Sequence, residues 1–188
     1  MRFFLVSVLV AGAMMSAWGF EIEIAVIEAA ERGDAEAQYK WGVHCEGWTG
    51  VGNIINKEKE PYTQALELYK KSAEQGYVKA QWRLGEKYYD GKIIQKDYAE
   101  AVKWFTKAAE QGHKDAQYWL GVCYEQGRGV TKDVAEADKW VKKAAEQGHE
   151  KAKERLDLDA KMDAIAARAA ERRRLRNQQR EEREKAGQ

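Results

Sequence analysis

Residues 80–112 read AQWRLGEKYYDGKIIQKDYAEAVKWFTKAAEQG, and residues 116–148 read AQYWLGVCYEQGRGVTKDVAEADKWVKKAAEQG. The two stretches are one 36-residue unit written twice. Gly76, Gly112 and Gly148 each close an Ala-Glu-Gln-Gly phrase; Leu84 returns as Leu120, Gly85 as Gly121, Gly91 as Gly127, Asp97 as Asp133 and Trp104 as Trp140. A fixed period of this size predicts a solenoid of stacked supersecondary units. Within each unit Ala80, Leu84 and Tyr88 share one helical face, as do Ala101, Trp104, Phe105 and Ala108, so each unit is a helical hairpin. Asp90-Gly91-Lys92 and Gly127-Arg128-Gly129 supply the turns, and Asp97 and Asp133 stand where a carboxylate caps the second helix. One hairpin cannot bury its own apolar face; a row of them can.

The residues Gly85, Gly91, Lys96-Asp97, Ala101, Trp104, Ala108-Ala109 and Gly112 resemble the Sel1-like repeat, a relative of the tetratricopeptide repeat. Gly121, Gly127-Arg128-Gly129-Val130, Lys132-Asp133, Ala137, Trp140, Ala144-Ala145 and Gly148 match it more completely. The resemblance implies an all-α, right-handed α/α solenoid that binds proteins or peptides as a scaffold, with no catalytic activity and no cofactor.

Towards the N-terminus, Arg2 is the only charge before Glu21, Phe3 to Ala17 is a short apolar run, and Ala17-Trp18-Gly19 is a small-x-small cleavage pattern. Residues 1–19 therefore read as a signal peptide, with retention as an anchor the alternative. No Cys lies near the cleavage pattern, which argues against a lipoprotein. The expected address is periplasmic or secreted, with no membrane span once the head is removed. Glu21 to Glu31 is expected to form a short helix over the first repeat, with Ile24, Ile27 and Ala30 turned inward.

The solenoid is expected over 20–170, with repeats at about 33–76, 77–112 and 113–148, then a partial unit and capping helix at 149–170. The first repeat is seven residues longer than the others, and the excess falls within Trp48–Lys59. It reads either as a terminal irregularity or as a partner-binding edge built on Trp48, Val51, Ile54 and Ile55. Pro61 fits the first turn of the following helix.

Cys45 and Cys123 stand in different repeats, with a hairpin between them. Some secreted members of the resembled family bridge each repeat with its own pair, a pattern this chain lacks. Two buried, unpaired thiols are expected. His113 and His149 occupy equivalent positions just after the helix-ending glycine, which argues for capping and against a shared metal site. His44 and Cys45, being adjacent on a helix, point in different directions. No nucleophilic triad or phosphate loop is legible.

In related helical-repeat scaffolds the first helix of each hairpin lines the concave side. By that analogy three rows of positions are candidates for partner contact: Tyr39, Trp82 and Tyr118; Val43, Glu86 and Val122; and Glu36, Lys79 and Asp115. The aromatic row is the sharpest, although the same rings could instead pack between hairpins. Beyond Leu156 the repeat glycine is replaced by Asp157, and Leu158, Met162, Ile165, Ala166 and Ala169 continue an apolar stripe, expected to close the last hairpin. Residues 171–188 form a charged helical tail whose Arg172, Arg173, Arg174 and Arg176 are candidates for contact with an anionic membrane or cell-wall surface. The alternative for the tail is a solubilising helix end, and a purely structural assembly role stands beside both binding readings. The net charge of +1, with acids and bases interspersed, gives no general reason for nucleic-acid binding.

Overall fold

The computed structural model describes residues 17–52, 60–92, 94–185 and 187, with the side chains of 17–23, 47–52 and 60–62 excepted. The apolar run proposed as a signal peptide lies outside them up to position 16. The described residues form eight helices and no strand: α1 (Ala17–Glu31), α2 (Ala35–Gly52), α3 (Glu60–Glu74), α4 (Val78–Asp90), α5 (Tyr98–Glu110), α6 (Lys114–Gln126), α7 (Val134–Glu146) and α8 (Glu150–Lys185). Each helix packs on its neighbours in chain order, so α2/α3, α4/α5 and α6/α7 are the three hairpins of an α/α solenoid.

Local chemistry sets the helix ends. Asp97 Oδ1 accepts from the Ala99 and Glu100 amides at 2.9 and 3.1 Å, and Asp133 Oδ1 from Glu136 at 3.0 Å. Asp34 does the same for Ala37 at 2.7 Å, so all three carboxylates satisfy orphan amides where the helix dipole favours negative charge. Gly91 and Gly127 end α4 and α6 with φ of 67°, a conformation other residues adopt only at a cost.

Within each hairpin the two helices approach through the template glycine of the first. A Cβ at Gly85 would stand 2.5 Å from the Phe105 ring and 3.3 Å from the Ala101 carbonyl oxygen. Equivalent atoms at Gly42 and Gly121 would meet Tyr69 and Val141, each at 2.7 Å. Tyr69, Phe105 and Val141 are fully buried beside Leu84, Leu120 and the recurrent alanines, so burial of these contacts stabilises the row.

The fourth unit departs from this pattern. Asp157 stands where the close-approach glycine would be, and no second helix packs there among the described residues. Helix α8 is buried at Ala152 and half-buried at Arg155 and Leu156, but every described residue from Asp157 onward is exposed. The expected long C-terminal helix is present as α8, and its contact with the last hairpin is confined to its first two turns. Leu158, Met162 and Ile165 are 60, 58 and 59% exposed, so the stripe does not close the last hairpin. With 36 residues α8 is about 54 Å long, and most of it projects from the solenoid.

Two other expectations meet the structure near the N-terminus. Helix α1 covers the first repeat with Ala30 buried and Ile24 and Ile27 half-buried. The beginning of the first-repeat excess continues α2, which has 18 residues against 13 in α4 and α6. Trp48 and Val51 lie on that helix without described side chains, Ile54 and Ile55 fall outside the described residues, and Pro61 is in the first turn of α3.

Candidate partner-binding face

The aromatic row becomes a series of inter-repeat ring contacts, tilted at Tyr39 and stacked at Trp82 and Tyr118. Tyr39 packs on Tyr77 with ring centroids 5.3 Å apart, Trp82 on His113 at 5.4 Å, and Tyr118 on His149 at 4.4 Å. In each case a ring on the first helix of one unit lies against the residue that opens the next. Tyr39 also touches Tyr69, and Trp82 touches Phe105. All three row members stay half-buried, so they join hairpins and still present an edge to solvent.

The histidines act as caps. His113 Nδ1 accepts from the Ala116 amide at 3.4 Å, and His149 Nδ1 from Ala152 at 3.2 Å. Burial holds both imidazoles below their usual pKa, outweighing the favourable charge of Asp115, whose carboxylate lies 3.4 Å from His149 Nε2. The neutral ring, with its proton on Nε2 and its lone pair on Nδ1, suits both contacts of His149.

Around the second and third stacks lies an open cleft of about 290 Å³, lined by Trp82, Lys114, Asp115, Tyr118, Trp119 and Lys151 together with the His149 turn. Three predicted residues, Trp82, Asp115 and Tyr118, converge there from α4 and α6. Lys79 is exposed at the start of α4. The remaining groove candidates are otherwise engaged. Val43 packs against the cluster of Cys45, Ala65 and Tyr69, Glu86 accepts from Arg83 at 2.8 Å, and Val122 is buried. Val122 is therefore core, and the row it shares with Val43 and Glu86 is not a continuous exposed strip. Arg172, Arg173, Arg174 and Arg176 are all exposed on the projecting part of α8, far along the chain from the cleft.

Sequence reasoning missed an ionic junction between the first two hairpins. Glu46 accepts from Tyr69 Oη at 2.8 Å and from Lys87, while Arg83 Nε stands 3.9 Å away. Burial pushes the Glu46 carboxyl up, yet hydrogen bonds from Lys87 and Tyr69 and the charges of Lys87 and Arg83 hold it below the usual range. The insertion between Glu46 and the second helix hides this register in the sequence. A second junction holds α8: Arg155 reaches Glu125 of α6 at 3.2 Å and Asp138 of α7 at 3.0 Å, and also Asp159 of its own helix at 3.7 Å.

Cys45 and Cys123 are free and buried in separate clusters, and burial pushes both thiols to about 11. Neither is a ready nucleophile at neutral pH. Among the described residues no group of three or more His, Cys, Asp or Glu is placed to hold a metal ion, and no helix is long and apolar enough to cross a membrane.

Residues 35–77, 78–113 and 114–149 each match the Sel1 repeat. A Sel1 repeat protein from Oxalobacter formigenes is similar in structure, with 35% identity, a TM-score of 0.61, and coverage of 71% of this chain and 96% of its own. A protective antigen present in uropathogenic Escherichia coli strains, described as displaying an SLR fold, is 41% identical with a TM-score of 0.58 over 67% of this chain. This chain spans only 26% of that antigen. Helicobacter pylori cysteine rich protein B, at 23% identity and a TM-score of 0.52 over 75% of this chain and 96% of its own, shares the fold. No curated protein matches the chain.

Proposed function

The chain belongs to the Sel1-repeat family, whose members are generally protein-interaction scaffolds, and from this premise we propose that it is a non-catalytic scaffold. Its partner is a protein or peptide, bound in the cleft between α4, α6 and the start of α8. The observation that carries this reading is the convergence of Trp82, Tyr118 and Trp119 around Asp115, Lys114 and Lys151 in one open cleft. Aromatic walls offer contact area at low entropic cost, and a rim of mixed charge selects the register of a bound peptide. The place of action is the cell envelope, supported by the apolar head and its small-x-small pattern.

The test is capture of envelope proteins by the tagged wild-type chain and by a Lys114→Glu/Lys151→Glu variant, whose changes lie on exposed positions. A stoichiometric protein retained by the wild type and lost by the variant supports the cleft. Equal retention by both counts against it. Sequencing the N-terminus of the protein recovered from its host tests export: a start near Phe20 supports it, and an intact Met1 in a cytoplasmic fraction refutes it.

The exposed arginines favour a second reading, peripheral contact with an anionic membrane or cell-wall surface. Binding of that kind weakens steeply as salt rises and survives the cleft variant.

A further inference from the structure

Beyond Leu156, α8 carries an apolar seam that nothing in the described chain covers. Leu158, Met162, Ile165 and Ala169 recur at alternating four- and three-residue steps, the spacing that keeps side chains on one side of a supercoiled helix pair. Leu158, Met162 and Ile165 are about three-fifths exposed because α8 runs on to Lys185 and no element among the described residues folds back on it.

The charge along the helix is asymmetric. Residues 157–163 carry Asp157, Asp159 and Asp163 against Lys161, whereas 168–176 carry Arg168, Arg172, Arg173, Arg174 and Arg176 against Glu171. A helix acidic in one half and basic in the next is complementary to itself only when reversed.

We propose that α8 pairs with α8 of a second copy of this chain, antiparallel, along the seam of Leu158, Met162, Ile165 and Ala169. In the register that lays the acidic 157–163 half against the partner's basic half, Ile165 lies beside the partner's Ala169, and Asp159 comes within reach of the partner's Arg173. Met162 and Leu158 then meet the aliphatic stems of the partner's Arg172 and Arg176, whose guanidinium groups stay in water. A parallel pair would bring Arg172 and Arg176 against their own counterparts. The antiparallel pair is isologous and closed, so it yields a dimer and no filament, with the two solenoids at opposite ends. The apolar seam spans only about 18 Å, so charge provides much of the attraction and high salt dissociates the dimer.

Sedimentation of the purified chain from about 5 to 200 µM at low salt tests this, since a short seam implies micromolar association. The expected result is a monomer–dimer equilibrium abolished by Ile165→Glu, a change at an exposed position that leaves helicity and melting unaltered. Asp159→Arg and Arg173→Glu each weaken dimerisation about tenfold, and the double variant restores it. Oxidised Ala166→Cys cross-links copies near the two-fold axis, whereas a parallel pair would cross-link through Ala169→Cys instead. A monomer at the highest concentration, a dimer that survives Ile165→Glu, a double variant without rescue, or cross-linking only at position 169 overturns the proposal. Binding to phosphatidylglycerol vesicles that Ile165→Glu abolishes, with the chain monomeric throughout, would assign the seam to lipid and overturn it equally.

Discussion

Gln111 donates its side-chain amide to the Gln81 carbonyl oxygen at 2.7 Å, and Gln147 repeats the bond to Gln117 at the same length. Gln81 and Gln117, both buried, donate in turn to the carbonyls of Ala73 and Ala109 in the preceding helix, at 3.2 and 3.1 Å. Gln38 makes the corresponding pair with Gln75 and Ala30. One amide thus ties three successive helices, and the glutamine of each Ala-Glu-Gln-Gly phrase is a link in this ladder.

Replacing Gln81 by Leu removes both bonds while keeping much of the volume. It leaves the Ala73 carbonyl with the Gly76 amide as its remaining donor and should lower stability by about 1 kcal/mol. Gln111→Ala, at an exposed position, should lower it less. Urea unfolding monitored by circular dichroism measures both, and equal losses would contradict the ladder.

Gly85→Ala places a methyl against Phe105 and the Ala101 carbonyl, both deep in the second hairpin. The overpacking should cost about 1–3 kcal/mol. Phe105→Leu on the Gly85→Ala background should be less damaging than Phe105→Leu alone, because the smaller side chain makes room. A double-mutant cycle on melting data reads the coupling, and simple additivity would show that the two sites do not clash.

The histidine caps make the inter-repeat junctions sensitive to acid. His113 and His149 both have pKa values lowered below 6.5, chiefly by burial, so the folded state favours the neutral ring. For a base with a depressed folded pKa, the unfolded chain takes up protons first. Stability is therefore full above 6.5 and falls as pH drops below it, levelling once the folded-state pKa is passed. Asp115 opposes this trend at both rings, while Lys114 reinforces it at both, joined by Lys79 at His113 and Lys151 at His149. Melting temperatures between about pH 7.5 and 5.5 should fall for the wild type and much less for His113→Asn/His149→Asn, since asparagine caps without titrating in that window. An equal fall in both would place the acid sensitivity elsewhere.

Glu46→Gln removes the countercharge from Lys87 and Arg83 at the first junction. Glu46 is partly exposed, so solvent moderates the effect, and a loss of about 1–2 kcal/mol is expected. The same substitution should leave partner binding in the cleft unchanged. Chemical denaturation and a binding titration on one preparation separate the two outcomes.

Cys45 and Cys123 should resist a thiol reagent in the folded chain at pH 8 and react at once in denaturant, since burial both covers them and keeps them protonated. Rapid labelling of either in native buffer would show that its cluster opens.

The period of the repeat made the hairpins legible before any coordinates, because small residues, turn glycines and capping aspartates recur only where the same packing recurs. Asp97 and Asp133 were identifiable as caps from position alone, and the histidines from their equivalence. What the sequence left open was direction. Tyr39, Trp82 and Tyr118 had the composition of binding residues and of inter-repeat packing alike, and the ring contacts with Tyr77, His113 and His149 show that packing claims one side of each. Val122 shares a template position with the partly exposed Val43 and Glu86, and only the neighbouring helices decide that it is buried.

The sequence by itself determined the unit, its number of copies and the ends of most helices, since these depend on local propensity and on a pattern repeated within the chain. Tertiary structure alone decided which rings remain available, how Glu46 reaches Lys87 across two hairpins, and that the apolar stripe of α8 lies uncovered. Those properties depend on whether another element stands opposite a given face. At Leu158, Met162 and Ile165 the amphipathic spacing is the same whether a partner helix is present or absent, and among the described residues none folds back onto them.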